Sequence, residues 1–130
     1  MDRGSIERWV ADYERAWRTA GTEPLAELFT EDAVYSTGPF ETPFQGRAAI
    51  ERMWEAEREG HDEVFSMTSD VVAVEGQVGV VRLEVDYGNL GRPTYRDLWV
   101  IELDADGRCR SFEEWPFWPE GAEGTVAGKK

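Results

Sequence analysis

LAELFTEDAVYSTGPFETPFQGRAAIERMW, residues 25–54, decides the fold. Pro24 suits the first turn of a short helix whose inner face is Leu25, Leu28 and Phe29. Thr30-Glu31-Asp32 breaks away into Ala33-Val34-Tyr35-Ser36, a brief strand, and Gly38, Pro39 and Pro43 then forbid regular structure as far as Gly46. Gln45-Gly46-Arg47 opens a further helix, from Arg47 to about Glu59, burying Ala49, Ile50, Met53 and Trp54. Upstream, Ile6, Trp9, Val10, Tyr13, Ala16, Trp17 and Ala20 recur at helical spacing; Ser5 can cap this first helix and Gly21 can end it. The order predicts an α+β fold, a curved antiparallel sheet wrapped over three N-terminal helices, with aromatic side chains pointing into the hollow.

Beyond Gly60 the apolar period changes to two. Val64 to Val74, Val78 to Tyr87, Thr94 to Leu103 and Arg108 to Phe117 read as strands. Glu75-Gly76-Gln77, the loop over residues 88–93 and Ala105-Asp106-Gly107 join them, connectors short enough for antiparallel neighbours. In the second run Val81, Leu83, Val85 and Tyr87 share one face and Val80, Arg82, Glu84 and Asp86 the other. In the third, Asp97, Trp99, Ile101 and Leu103 alternate with Arg96, Leu98, Val100 and Glu102. Leu98 and Val100 would lie on an outer face with little reason to be wet, which points to a homodimer through that face.

Composition limits the partners. With 14 basic and 27 acidic side chains the net charge is −13, which repels nucleic-acid backbones and anionic membranes, and no basic stripe with interleaved aromatics exists. One hundred and thirty residues, 41% of them hydrophobic, suit one domain over residues 1–119, with a glycine-rich mobile tail over 120–130. No apolar run reaches the roughly 18 residues of a membrane span, and the first residues carry no apolar signal region, so a soluble cytoplasmic protein is expected. The single cysteine, Cys109, reads as a core residue, and the single histidine, His61, as part of a Gly60-His61-Asp62 connector. Neither supplies a metal ligand set, and no glycine-rich phosphate cradle is present, so no cofactor is expected.

Two acidic positions resist a purely structural reading. Alternation places Asp97 inward beside Trp99 and Ile101, where an ionised carboxylate is costly without a partner. The rival readings are a register shift or bulge that turns it outward, or a structural pair with Arg96 or Arg92. The last run, Phe112-Glu113-Glu114-Trp115-Pro116-Phe117-Trp118-Pro119, must turn one glutamate inward if it stays regular. Strict alternation from Cys109 selects Glu113; a bulge would select Glu114. Pro116 and Pro119 mark an edge or the end of the sheet.

Together these segments resemble the nuclear transport factor 2-like superfamily, in its SnoaL-like, ketosteroid isomerase-related branch. The resemblance runs from about Ile6 to Pro119. It is carried by Tyr13 and Ala16-Trp17, by Leu28-Phe29-Thr30-Glu31-Asp32-Ala33, and by Gln45-Gly46-Arg47-Ala48-Ala49-Ile50. Tyr95-Arg96-Asp97-Leu98-Trp99 and Asp106-Gly107-Arg108 complete it. The resemblance implies a cone-shaped, cystatin-like α+β barrel, a deep pocket and frequent homodimers. Fold alone does not settle activity among isomerases, dehydratases, epoxide hydrolases, cyclases and binders.

In the ketosteroid isomerases a tyrosine on the first helix and a protonated aspartate on a late strand form the oxyanion hole, and a separate aspartate is the base. Tyr13 and Asp97 match the first two positions, while the base position falls near Thr37-Gly38, which has no carboxylate. Steroid isomerisation by that route is therefore not expected. The expectation is a lyase or isomerase acting on a flat apolar carbonyl or phenolic compound, with Tyr13 and neutral Asp97 as donors and Glu113, or else Glu114, as general base. Trp17, Tyr35, Trp54, Trp99 and Trp115 would sandwich the ligand. The competing expectations are a binder of a hydrophobic small molecule without catalysis, and an interaction protein whose cone is simply filled.

Overall fold

The computed structural model describes residues 2–57, 65–86 and 94–119. The end of the expected third helix, the Gly60-His61-Asp62 connector, Val64, Tyr87, the 88–93 loop with Arg92 and the 120–130 tail lie outside them. Helix α1 spans Arg3–Trp17 and buries Ile6, Trp9, Val10, Tyr13 and Ala16, the stripe that a period of three to four residues puts on one face. Its cap is Asp2 rather than Ser5: the Asp2 carboxylate accepts from the Ser5 N–H at 3.0 Å, occupying one of the unpaired donors of the first turn. Helix α2, Leu25–Leu28, is a single turn that runs straight into strand β1, Phe29–Ser36.

The expected break at Thr30-Glu31-Asp32 is an excursion within β1. Between Phe29 opposite Cys109 and Val34 opposite Ser111, β1 advances further than its partner, so the surplus residues bulge. Glu31 and Asp32 sit in water there, while Phe29 and Ala33 on either side are buried. The Pro/Gly crossing also contains a strand that its composition concealed, β2, Phe44–Gln45, paired antiparallel with Val34 and Tyr35. Gly46, at φ 92°, makes the turn out of β2, and its N–H donates to the Ala33 carbonyl at 2.7 Å. Helix α3, Arg47–Glu57, follows and buries Ile50, Met53 and Trp54, with Ala49 half-buried.

Strands β3, Ser66–Glu75, β4, Val78–Asp86, β5, Tyr95–Leu103, and β6, Cys109–Phe117, form the expected antiparallel meander. The sheet order is β2-β1-β6-β5-β4-β3, and β1 joins β6 in parallel, so the curved, unclosed sheet is mixed. Pro116 is tolerated in β6 because the pairing with β1 ends at Ser36 opposite Glu113, and no third strand waits for its missing N–H. None of the described helices is long and apolar enough to cross a membrane.

At Gly79 the helix layer packs directly onto the sheet. A β-carbon there would lie 2.5 Å from Ile6 Cδ1 and 2.6 Å from Ile6 Cγ1, and Ile6 is fully buried. Gly79→Ala is therefore expected to destabilise the fold by about 2 kcal/mol through overpacking. Because both changes act on one contact, the double variant with Ile6→Ala should lose less than the two single losses added together, as read by urea unfolding.

Candidate functional site

Leu83 stands opposite Asp97 and Val81 opposite Trp99, so Asp97, Trp99, Ile101 and Leu103 all face inward, as alternation requires. Asp97 is 2% exposed, and its Oδ2 accepts a 3.0 Å hydrogen bond from Trp99 Nε1. Arg96 turns to the outer face and meets Glu84 at 3.5 Å. Arg82 reaches Asp70 on the same outer surface.

Across the hollow, α1 presents Tyr13 and β1 presents Tyr35, their hydroxyl oxygens 2.6 Å apart and both rings buried. One phenolic hydrogen closes this bond; the accepting phenol keeps its own for another acceptor. Burial is the main cause holding Tyr13 well above the usual tyrosine range, followed by Tyr35 and the Glu114 and Asp97 carboxylates. Burial, then Glu114, does the same for Tyr35, with Asp97 adding to it and the Tyr13 hydrogen bond opposing it. Both carboxylates therefore act electrostatically on both phenols. The pair folds neutral, and the unfolded chain alone releases these protons as pH rises past the ordinary value of 10.0. Stability is thus intact below pH 10 and declines above it. In a spectrophotometric alkaline titration, Tyr13 and Tyr35 should ionise only together with unfolding.

Glu114, not Glu113, is the inward glutamate. Glu102 pairs with Ser111 and Leu103 with Cys109, so Arg110 is an extra residue that shifts the phase of β6. Phe112 and Glu114 consequently turn inward, 1% and 8% exposed, and Glu114 sits opposite Trp99. Glu113 is carried to the outer face opposite Val100, away from the role expected of it. The same shift removes Trp115 from the hollow: it lies opposite Leu98 and is 37% exposed.

The other four expected aromatics do gather. Trp99 lies 4.6 Å from the Tyr13 ring centroid, Trp54 5.1 Å from it, and half-buried Trp17 stands edge-on to Trp54 at 4.7 Å. Tyr35 packs on Phe112 at 4.6 Å. Sequence reasoning missed Trp99 as a hydrogen-bond donor and Phe112 as the ring that joins Tyr13, Tyr35 and Trp99. Among the described residues no cluster of three His, Cys, Asp or Glu side chains is placed to hold a metal. Burial lifts the Cys109 thiol to about 12, which leaves it without nucleophilic thiolate at neutral pH.

A mixed sheet curved over three helices, with two carboxyl groups and one phenol on its inner wall and a second phenol facing them from α1, defines a cone-shaped α+β domain of the cystatin-like kind. The SnoaL-like domain matches residues 7–112, and the chain belongs to that family. No curated protein matches the chain in sequence. Among solved structures it is similar to a steroid delta-isomerase from Pseudomonas aeruginosa, at 17% identity and a TM-score of 0.69, over 99% of this chain and 90% of that one. It is also similar to the epoxide hydrolase/cyclase-like enzyme SalBIII, at 19% identity and a TM-score of 0.68, over 88% and 92% of the two chains. A protein with a cystatin-like fold from Methylobium petroleophilum PM1 matches at 22% identity and a TM-score of 0.69, over 93% and 82%. At these identities the likeness establishes the fold.

Proposed function

We propose that the protein is a cofactor-independent lyase or isomerase that moves a proton on a flat, largely apolar carbonyl or phenolic compound. The observation that carries this reading is the joint presence of Asp97 and Glu114 on the inner wall, facing a hydrogen-bonded tyrosine pair. Asp97, in its protonated form and oriented by Trp99, donates to the substrate oxygen, and the spare phenolic hydrogen of the Tyr13–Tyr35 pair supplies the second donor. Glu114 takes the proton from carbon and returns it to a second position. Trp17, Tyr35, Trp54 and Trp99 provide apolar walls that favour a planar ligand. The steroid-isomerase arrangement differs at its base, because Thr37-Gly38 offers no carboxylate.

A core that merely saturated its own polar groups would join Tyr13 to Asp97. Tyr13 instead bonds Tyr35, and Asp97 accepts from Trp99, so the two expected donors are not spent on each other. The test is a tryptophan-fluorescence titration with 2-naphthol. Saturable binding is expected, weakened about tenfold in Asp97→Asn as a carboxylic O–H donor gives way to a weaker amide N–H donor. An Asp97→Asn chain that binds as tightly as wild type, or a wild-type chain that binds no planar phenol, contradicts the proposal. The outer face, with Leu98 and Val100 half-buried and Trp115 and Phe117 exposed, supports a homodimer through the sheet. Sedimentation should then give twice the monomer mass, and Trp115→Arg should halve it.

A further inference from the structure

Three buried indoles line the aromatic cluster, and two have found acceptors. Trp9 Nε1 donates to the Leu28 carbonyl at 3.0 Å, and Trp99 Nε1 donates to Asp97 at 3.0 Å. Trp54 has not: its side chain is fully buried and its Nε1 has no hydrogen-bond partner. It is the only fully buried side chain among the described residues whose donor lacks an acceptor. Folded proteins rarely leave such a group dry, because its desolvation is then uncompensated. A phenylalanine would fill much of the same space without that cost. The position of Trp54 gives the N–H a use, since its ring stands edge-on to Tyr13 at 5.1 Å and to Trp17 at 4.7 Å, within the wall that borders the tyrosine pair.

We propose that the Trp54 N–H is a recognition donor of this site, and that the ligand carries a second oxygen acceptor besides the one addressed by Asp97. The inference rests on the proton-transfer reading above and narrows its substrate class to flat compounds oxygenated at two positions. Tyr13 lies beside Trp54, so the tyrosine pair and the indole together select for the spacing of the two oxygens. A ligand with a single oxygen would still bind, with the Trp54 donor unanswered and with lower affinity.

The experiment compares 2-naphthol with the set of regioisomeric dihydroxynaphthalenes, using wild type, Trp54→Phe and Asp97→Asn. The Trp54 indole proton is followed in parallel by NMR of wild type, a readout that needs no variant to fold. At least one regioisomer should bind wild type about tenfold more tightly than 2-naphthol does, lose that advantage in Trp54→Phe, and move the Trp54 indole proton downfield. No regioisomer preferred over 2-naphthol, or an indole proton unmoved by the preferred one, overturns the proposal. If 2-naphthol binding depends on Asp97 while Trp54→Phe changes nothing, the second-acceptor inference alone falls. If no compound binds, the functional reading falls with it.

Discussion

Replacing Glu114 by glutamine is expected to slow proton transfer in this site by about 10²–10⁴-fold, the usual contribution of one positioned general base. The exchange keeps the shape of a side chain that is 8% exposed and removes only its capacity to take a proton. Glu113→Gln makes the same chemical change one residue away and should leave the rate unaltered, because Glu113 stands on the outer face opposite Val100. The pair of variants separates a local base from an effect of overall charge, which at −13 is large enough to matter in itself. Equal losses in both variants would point to the field of the whole protein, and an unaffected Glu114→Gln would remove Glu114 from the mechanism.

Phe112→Ala should cost about 4 kcal/mol of folding stability, within the range for truncating a fully buried aromatic residue. Phe112 is 1% exposed and touches the rings of Trp9, Tyr13, Phe29, Tyr35 and Trp99, so no single neighbour can relax into the space it leaves. Urea unfolding with an unchanged slope would read this as a lowered midpoint. Trp115→Ala, one residue beyond the inward Phe112-Glu114 pattern and on the outer surface, should cost the folded monomer about 1 kcal/mol. The contrast checks the phase of β6 without any substrate, because the unbulged register would bury Glu113 and Trp115 and put Phe112 in water.

That phase was written in the sequence in a form that strict alternation overlooks. Cys109 and Phe112 are the apolar residues at the start of the last strand, three apart, and a regular strand from Cys109 would have buried Ser111 and exposed Phe112. The spacing of three is the trace of the extra residue at Arg110. Asp97 was legible because β5 has no such interruption, and every second residue from Asp97 to Leu103 is buried. Strand β2 was hidden for the opposite reason: two residues between Pro43 and Gly46 carry no periodicity, and only the Gly46 N–H bond to Ala33 reveals why they pair. The parallel pairing of β1 with β6 joins segments far apart in the chain, a register that no local signal fixes. The Tyr13–Tyr35 bond depends on that pairing, since it brings the end of β1 alongside Phe112 and under α1.

The most direct test of a proton-transfer site in this cone is α-hydrogen exchange of 2-tetralone in deuterated buffer, followed by NMR with and without the protein. Wild type should accelerate exchange well beyond buffer, and Glu114→Gln at the same concentration should return it close to the buffer rate. Saturable binding of 2-tetralone with no acceleration by wild type would contradict a catalytic site and leave a binding protein in its place.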